Sequence, residues 1–301
     1  MLKPLISFDW AVKRLLRNKA NFGILEGFLS ELLRQDIKID RILESGGNQE
    51  HEADKFNRVD ILAEDAQKQL IIIELQNNRE LDYFQRMLFG VSKAVTEYIN
   101  LGDEYLKVRK VYSVNIVYFD LGQGNDYIYH GITHFTGMHT HEELMLSARQ
   151  QQLFLRQAAG ALYPEYYVIR VNQFNDIAKD TLDEWVFYLK NGDIKEGSQA
   201  KGLAEVRRKL TTGQLNKEDR DMYLRHLDNL SHQKSVIFTA KDEGVVEGMA
   251  KGMAKGMAKG KAEGIAEGLL LVAKNMKKTG EPIEKIMAFT GLTKEQIENL
   301  N

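Results

Sequence analysis

The chain has no cysteine and only three prolines among its 301 residues. Without cysteine it can form neither a disulfide nor a thiolate metal site, as expected of a protein kept in a reducing compartment. Long apolar runs are missing as well. The opening segment MLKPLISFDWAVKRLL lacks the uncharged apolar stretch of a signal peptide, and GLLLVA near the other end is far too short to cross a bilayer. These absences predict a cytoplasmic protein without membrane contact. An excess of one charge is also lacking, since the formal net charge is −2 at pH 7. A nucleic-acid partner would therefore have to meet local patches: Lys13/Arg14/Arg17/Lys19, Lys107/Arg109/Lys110 or Arg207/Arg208/Lys209. Each of these also reads as a solvated helix face.

What remains is ordinary soluble-protein composition, 43% hydrophobic and 28% charged, long enough for a full core and an appendage. Apolar residues at helical spacing (Phe8, Val12, Leu15, Leu16, then Phe22, Leu25, Phe28, Leu29, Leu32, Leu33) predict two helical stretches broken near NKAN. IKIDRILES reads as a short strand and GGNQEHEADKF as a polar loop. NRVDILAED, the turn AQKQ and LIIIELQNN together read as a β-hairpin. A helix is expected from Leu81 to Leu101, stopped by Gly102. VYSVNIVYFDL and YYVIRVNQF then read as buried strands. The fold class is α/β (α+β), a mixed sheet flanked by helices over residues 1–177. A helical extension is expected over 178–240, a glycine-rich helix over 241–278, and a C-terminal two-helix element over 279–301. In that element Pro282 stands at a first helical position, and Thr293 with Gln296 forms a capping box.

The chemistry concentrates in RVDILAEDAQKQLIIIELQNN. Asp60 closes one strand of the hairpin and Glu74 sits on its partner, with Gln76 two residues on and so on the same face as Glu74. An apolar strand that ends by turning a carboxylate inward needs a partner for it. A hard divalent cation bound by Asp60 and Glu74, with the Leu75 carbonyl as a third oxygen, is one such partner. That ion would polarise a phosphodiester and activate water, while Gln76 positioned the water or a phosphate oxygen. The same spacing also occurs as plain surface polarity.

The segments SFDWAVKRLL, VDILAE, IIIELQNN, FQRMLFGVSKAVTEYINLGDEY and VAKNMKKTGEPIEKIMAFTGLTKEQIENL, in this order over most of the chain, resemble the recombination-promoting nuclease (Rpn) family. These are transposase-like proteins of the PD-(D/E)xK phosphodiesterase superfamily. The resemblance implies a restriction-endonuclease-like core that hydrolyses DNA with Mg²⁺ (or Mn²⁺ or Ca²⁺), in recombination, mobile elements or defence. Asp60 and Glu74 match the motif acids, and Gln76 stands where the superfamily's lysine usually stands. That departure removes a cation that would stabilise the transition state, so a non-catalytic DNA-binding or oligomeric module is the alternative. Asp9 and Lys13 match an N-terminal Asp-x-x-x-Lys, with a simple helix ion pair as the alternative reading. Glu26 is a candidate extra helical carboxylate. Arg86 matches a family arginine that either binds phosphate or holds a motif carboxylate.

Two further clusters invite function. His130, His134, His139 and His141 lie within twelve residues, but their surroundings read as an ordinary loop rather than a metal site. The tail has a helix-turn-helix outline with Gly291 in the turn. Its second helix carries as many carboxylates as Lys plus Gln, which favours packing over base reading. Finally, glycine recurs every fourth position from Gly244 to Gly268 amid alanine, methionine and charge. A four-residue stripe drifts about 40° per repeat around a helix, and each glycine makes the isolated helix about 1 kcal/mol poorer than alanine would. The segment is either a close-approach surface for self-association into a homo-oligomer or a loosely helical spacer of tolerant length.

Overall fold

The computed structural model describes residues 5–43 and 59–300; the expected polar loop GGNQEHEADKF lies outside the described residues. The chain divides into two compact units, residues 1–223 and 224–301. The first is built on a six-stranded sheet. Its strands are β1 (Ile39–Leu43), β2 (Ile61–Asp65), β3 (Leu70–Gln76), β4 (Val111–Val117), β5 (Ile128–Gly131) and β6 (Glu165–Arg170). Their order across the sheet is β1-β2-β3-β4-β6-β5. β1, β2 and β3 pair antiparallel, β3, β4 and β6 run parallel, and β5 returns antiparallel on the edge.

The expected hairpin forms, with Lys68 in the left-handed region (φ 64°) at its turn. β3 is apolar on both faces because both are covered, as in the interior of a parallel sheet. Leu70 and Ile72 join Leu62, Val91, Ala94 and Val111 beneath helix α3 (Tyr83–Glu97). Farther along α3, Tyr83 and Met87 pack on Val117, Phe119 and Val168. Ile71, Ile73, Val114 and Ile116 on the other face are fully buried too.

Helices α1 (Phe8–Arg14), α2 (Phe22–Leu33) and α5 (Thr181–Asn191) meet through an aromatic cluster. Phe8 lies 5.5 Å from Phe28 and 5.9 Å from Trp185 between ring centroids. Edge contacts of this kind add about 0.5–1.5 kcal/mol each beyond the area buried. Residues after 178, read from sequence as an extension, thus share the first unit's core. Two elements had no sequence reading: the short helix α4 (Ala148–Phe154) and the edge strand β5.

Helix α6 (Leu203–Lys209) docks on α2 at a backbone contact that only glycine permits. A Cβ on Gly27 would run into the Lys201 carbonyl and come within 2.6 Å of Gly202 Cα. Gly27→Ala is therefore expected to destabilise the protein by about 1–3 kcal/mol, as overpacking does. Thermal melting reads this directly, and an unchanged midpoint would mean that the α6 backbone can retreat freely.

Helix α7 (Lys217–Lys278) is continuous over 62 residues and contains the whole glycine series. At each glycine from Gly244 to Gly268 an added Cβ would meet nothing within 4 Å among the described residues, so none of these positions packs closely against them. In the second unit, Ala273 of α7 packs with Ile286 of α8 (Ile283–Thr290) and Ile297 of α9 (Lys294–Glu298). Lys277 Nζ donates to the carbonyls of Ile297, Glu298 and Leu300 at 2.8–3.0 Å, neutralising the C-terminal end of α9. The Thr293–Gln296 capping box forms, while Pro282 stands one residue before α8 rather than at its first position. Among the described residues no helix is long and apolar enough to cross a membrane.

Candidate active site

Ile61 of β2 faces Ile73 of β3 in the antiparallel register. Asp60, the residue just before β2, is thereby set across from Glu74, as the hairpin spacing leads one to expect. Even-numbered residues of β3 turn their backbone toward β4: Leu70 N–H goes to the Lys110 carbonyl, and the Gln76 carbonyl receives Tyr118 N–H. Leu75 consequently turns its N–H and C=O toward the β2 side. Its N–H donates to Asp60 Oδ2 at 2.7 Å, which fixes the carboxylate at the end of the hairpin.

Glu74 is 4% exposed and lies on the α3 face. The Arg86 guanidinium on α3 pairs with it directly. Arg86 also binds Glu80 through both carboxylate oxygens, at 2.9 and 3.1 Å, and Gln76 Nε2 donates to Glu80 Oε1 at 2.6 Å. Gln76, Glu80, Arg86 and Glu74 therefore form one chain of contacts on one face. The charge missing at Gln76 is present on that face after all, brought by the helix rather than by the strand.

On the other flank, α1 presents Asp9, 4% exposed, to the same site. Asp9 pairs with Lys13 at 2.8 Å and accepts a hydrogen bond from Asn77 Nδ2 at 3.3 Å. The ion pair read from the four-residue spacing exists, and it lies against the site as well. Arg17 donates to the Asp60 carbonyl, so two cations of the first basic patch stand beside Asp60. Beneath Glu74, Asn115 of β4 faces it in register and accepts from the buried Tyr83 hydroxyl at 3.3 Å.

Burial raises the Asp60 carboxyl above its usual range; the Leu75 hydrogen bond and the Lys13 charge offset part of this, and Asp9 adds to it. Burial raises Glu74 as well, with Arg86 opposing and the Asp60 charge reinforcing. Glu74 is thus held up in part by Asp60, and Asp60 in part by Asp9, as carboxylates gathered at one site are.

Glu26 is not part of this cluster. Its carboxylate takes Lys38 Nζ at 3.1 Å and Ile39 N–H at 3.0 Å, tying α2 to the start of β1. Ile39 faces Asp65, at the end of β2 remote from Asp60. Helical spacing identifies the face a residue occupies but not which end of the sheet it meets. Glu80 and Asn77 had no sequence reading, because both lie around the NNRE bend, where no periodicity marks a direction.

Two of the four histidines have side-chain partners nearby. His130 lies in β5, stacked on Tyr167 at 4.3 Å and paired with Glu165 at 2.8 Å, and His134 meets Glu143 at 3.1 Å. His139 and His141 lie around a turn closed by Gly137 N–H to the Glu142 carbonyl. Among the described residues no group of three or more His, Cys, Asp or Glu side chains is placed to hold a metal ion. The Asp60–Glu74 pair with the Leu75 carbonyl is an all-oxygen set with two carboxylates. That donor chemistry fits a hard cation such as Mg²⁺, which binds through one or two carboxylates and keeps several waters.

A family model described as PD-(D/E)XK nuclease family transposase matches residues 6–240. No curated protein and no solved structure matches the chain.

Proposed function

The chain belongs to the PD-(D/E)XK nuclease family of transposases, and from that premise we propose that it is a metal-dependent endonuclease hydrolysing DNA phosphodiester bonds. Membership supports nuclease-type function in general. The observation that carries the finer reading is the pair of carboxylates, Asp60 and Glu74, set opposite one another at the mouth of the hairpin with both acids raised by burial. Two such groups are costly together unless a cation offsets them.

Asp60, Glu74 and the Leu75 carbonyl would hold the ion, Mg²⁺ or a similar one. When bound, it supplies Lewis-acid polarisation of the phosphodiester and a more acidic water. The protein's own side chains do the rest. Lys13 and Arg17, beside Asp60, attract and seat the phosphate backbone. Arg86, held by Glu80, brings positive charge to the Glu74 face, where charge develops in the transition state. Gln76, oriented by Glu80, offers a neutral amide to the attacking water or a phosphate oxygen.

We assign Asp9 to orienting Lys13 and Asn77 at the edge of the site. Recombination, mobile-element or defence work, and self-association through the C-terminal helical region, complete the reading. A non-catalytic DNA-binding module is the second reading, favoured by the absence of a strand lysine at Gln76.

Plasmid cleavage by the purified chain separates the two. Nicking or linearisation in Mg²⁺ or Mn²⁺ that stops in EDTA is expected. Intact plasmid in every ion, with binding retained, would establish the second reading instead.

A further inference from the structure

A cleft of about 680 Å³ opens between the segment running from Tyr98 to Lys110 and the stretch from Phe154 to Leu162. It lies at the starts of β3 and β4, since Gln69 and Lys110 line it and Leu70 and Val111 follow them. Glu74 is four residues farther along β3, about 13 Å at strand rise. The cleft is therefore separate from the carboxylate pair, and nothing in the proposed cleavage uses it. Its volume is in the range that holds small ligands, about 300–1,000 Å³.

The lining is strongly one-signed. Lys68, Lys107, Arg109, Lys110 and Arg156 line it against a single carboxylate, Asp103. The other balancing acids stand behind this surface. Glu64, fully buried, takes Lys68 and Arg109, and Glu165 takes Lys110 at 2.9 Å. Lys68 also pairs with Asp40 at 2.7 Å, yet Glu64 and Asp40 together set two negative charges against Arg41, Lys68 and Arg109, so positive charge remains on the wall. Arg156 makes no direct ion pair with a described residue, although its charge acts on the Asp65 carboxyl; its guanidinium donates to the Leu155 carbonyl at 3.2 Å. Lys107, itself 63% exposed, pairs with Asp103 at 2.6 Å, and so exposed an ammonium can turn to a stronger anion at little cost.

Aromatic rings accompany the charge. Tyr105 at the rim is 90% exposed, and the Arg109 guanidinium stands 5.5 Å over the ring of Tyr98. Cations that grip phosphate beside a ring free to stack a base are the two halves of nucleotide recognition. A purely structural role for the basic segment explains Arg109 on Glu64. It does not explain Arg156 with no acid in direct contact, or a tyrosine held out in water.

We propose that this cleft binds a nucleoside phosphate, with the phosphate on Arg156 and Lys107 and the base against Tyr105. The ligand is either a free mononucleotide or the terminal nucleotide of a nucleic-acid strand.

The test is fluorescence titration of the full chain with mant-ATP in EDTA, where no cleavage occurs and the outcome is independent of the nuclease reading. Saturable binding is expected, displaced by ATP and not by adenosine. Arg156→Glu and Tyr105→Ala should each weaken binding about tenfold, the usual scale of one charge-assisted contact or one stacked base. Circular dichroism and melting should be unchanged in both, and Lys251→Glu on exposed α7 should bind as wild type. Displacement by a 5′-phosphorylated oligonucleotide at lower concentration than ATP identifies a strand end as the ligand, and the reverse order identifies a free nucleotide. Absence of saturable binding, equal competition by adenosine, or full affinity in both cleft variants overturns the proposal.

Discussion

Glu74→Ala is expected to fold as well as the wild type and to cut DNA at least about 10³-fold more slowly, the several kcal/mol that a bound Lewis acid supplies to a phosphodiester transition state. The two halves of that expectation come from the same contacts. Glu74 is nearly buried and its acid is raised by burial, so its ionised form is held at a cost rather than for stability. Arg86 loses one partner in the variant but keeps both oxygens of Glu80, at 2.9 and 3.1 Å. A group that works against the fold yet is essential to the chemistry is the usual trade at an active site.

Asp60→Asn makes the companion case. An amide oxygen can still accept Leu75 N–H, so the hairpin end is kept while one charge is removed, and cleavage should fall on the same scale. Melting with and without Mg²⁺ supplies an independent readout: wild type should be stabilised by the ion and both variants should not. The pH dependence has a definite sign. Both acids titrate above their usual ranges, so protons compete with the ion sooner than an exposed pair would allow, and activity should decline on acidification while the fold is intact. Cleavage by Glu74→Ala within tenfold of wild type would remove Glu74 from the site.

The largest stability effect is expected far from that site, at Glu64. Its side chain is fully buried on the α3 face of β2, and Arg41 at 3.1 Å, Lys68 at 2.9 Å and Arg109 at 2.5 Å converge on it. Burial alone would raise this acid, but the three cations outweigh it and hold it down to about 2. Removing one partner of a buried ionic cluster costs about 3–5 kcal/mol. Glu64→Gln should fall at the lower end, near 3 kcal/mol, because Arg41 and Lys68 are 59% and 60% exposed and can turn back to water.

For a unit of this size that corresponds to a drop of roughly 6–12 °C in melting midpoint. The folded-state acid lies below its unfolded value of 4.5, so its contribution is fully present above about pH 4.5 and is lost as pH falls from there toward 2. Wild type and Glu64→Gln should therefore converge in stability over that interval. A midpoint for the variant within about 2 °C of wild type at neutral pH would show that the cations had been adequately solvated all along.

These two carboxylates also show what the sequence makes legible. Glu74 ends the run LIIIE, so its inward turn stands out, and the short turn AQKQ fixes the register that brings Asp60 opposite. Glu64 is as deeply buried, yet nothing local in ILAED marks it, because its three partners come from β1, the hairpin turn and the segment before β4. Arg86 is legible through the family resemblance, on the helix that follows the motif strand. Glu80 is not, since its position depends on how a bend of irregular backbone returns toward Gln76. Glu26 fails as the extra helical carboxylate because it reaches the sheet at Ile39, the end remote from Asp60. β5 escaped notice because IYHG, a mostly exposed edge strand with one histidine, lacks the apolar run that marks β3 and β4.

β3 is hydrogen-bonded to β2 on one side and β4 on the other, and this position governs how the site can be lost. Strands enclosed in this way open only with the whole domain, whereas helix ends and edge strands fray at a small fraction of the global free energy. The amides of Leu70–Gln76 therefore belong to the most slowly exchanging class, and Glu74 shares their lifetime. Loss of β5 or of the fraying ends of α7 leaves the carboxylate anchored, so inactivation on heating should track global unfolding rather than any earlier local opening.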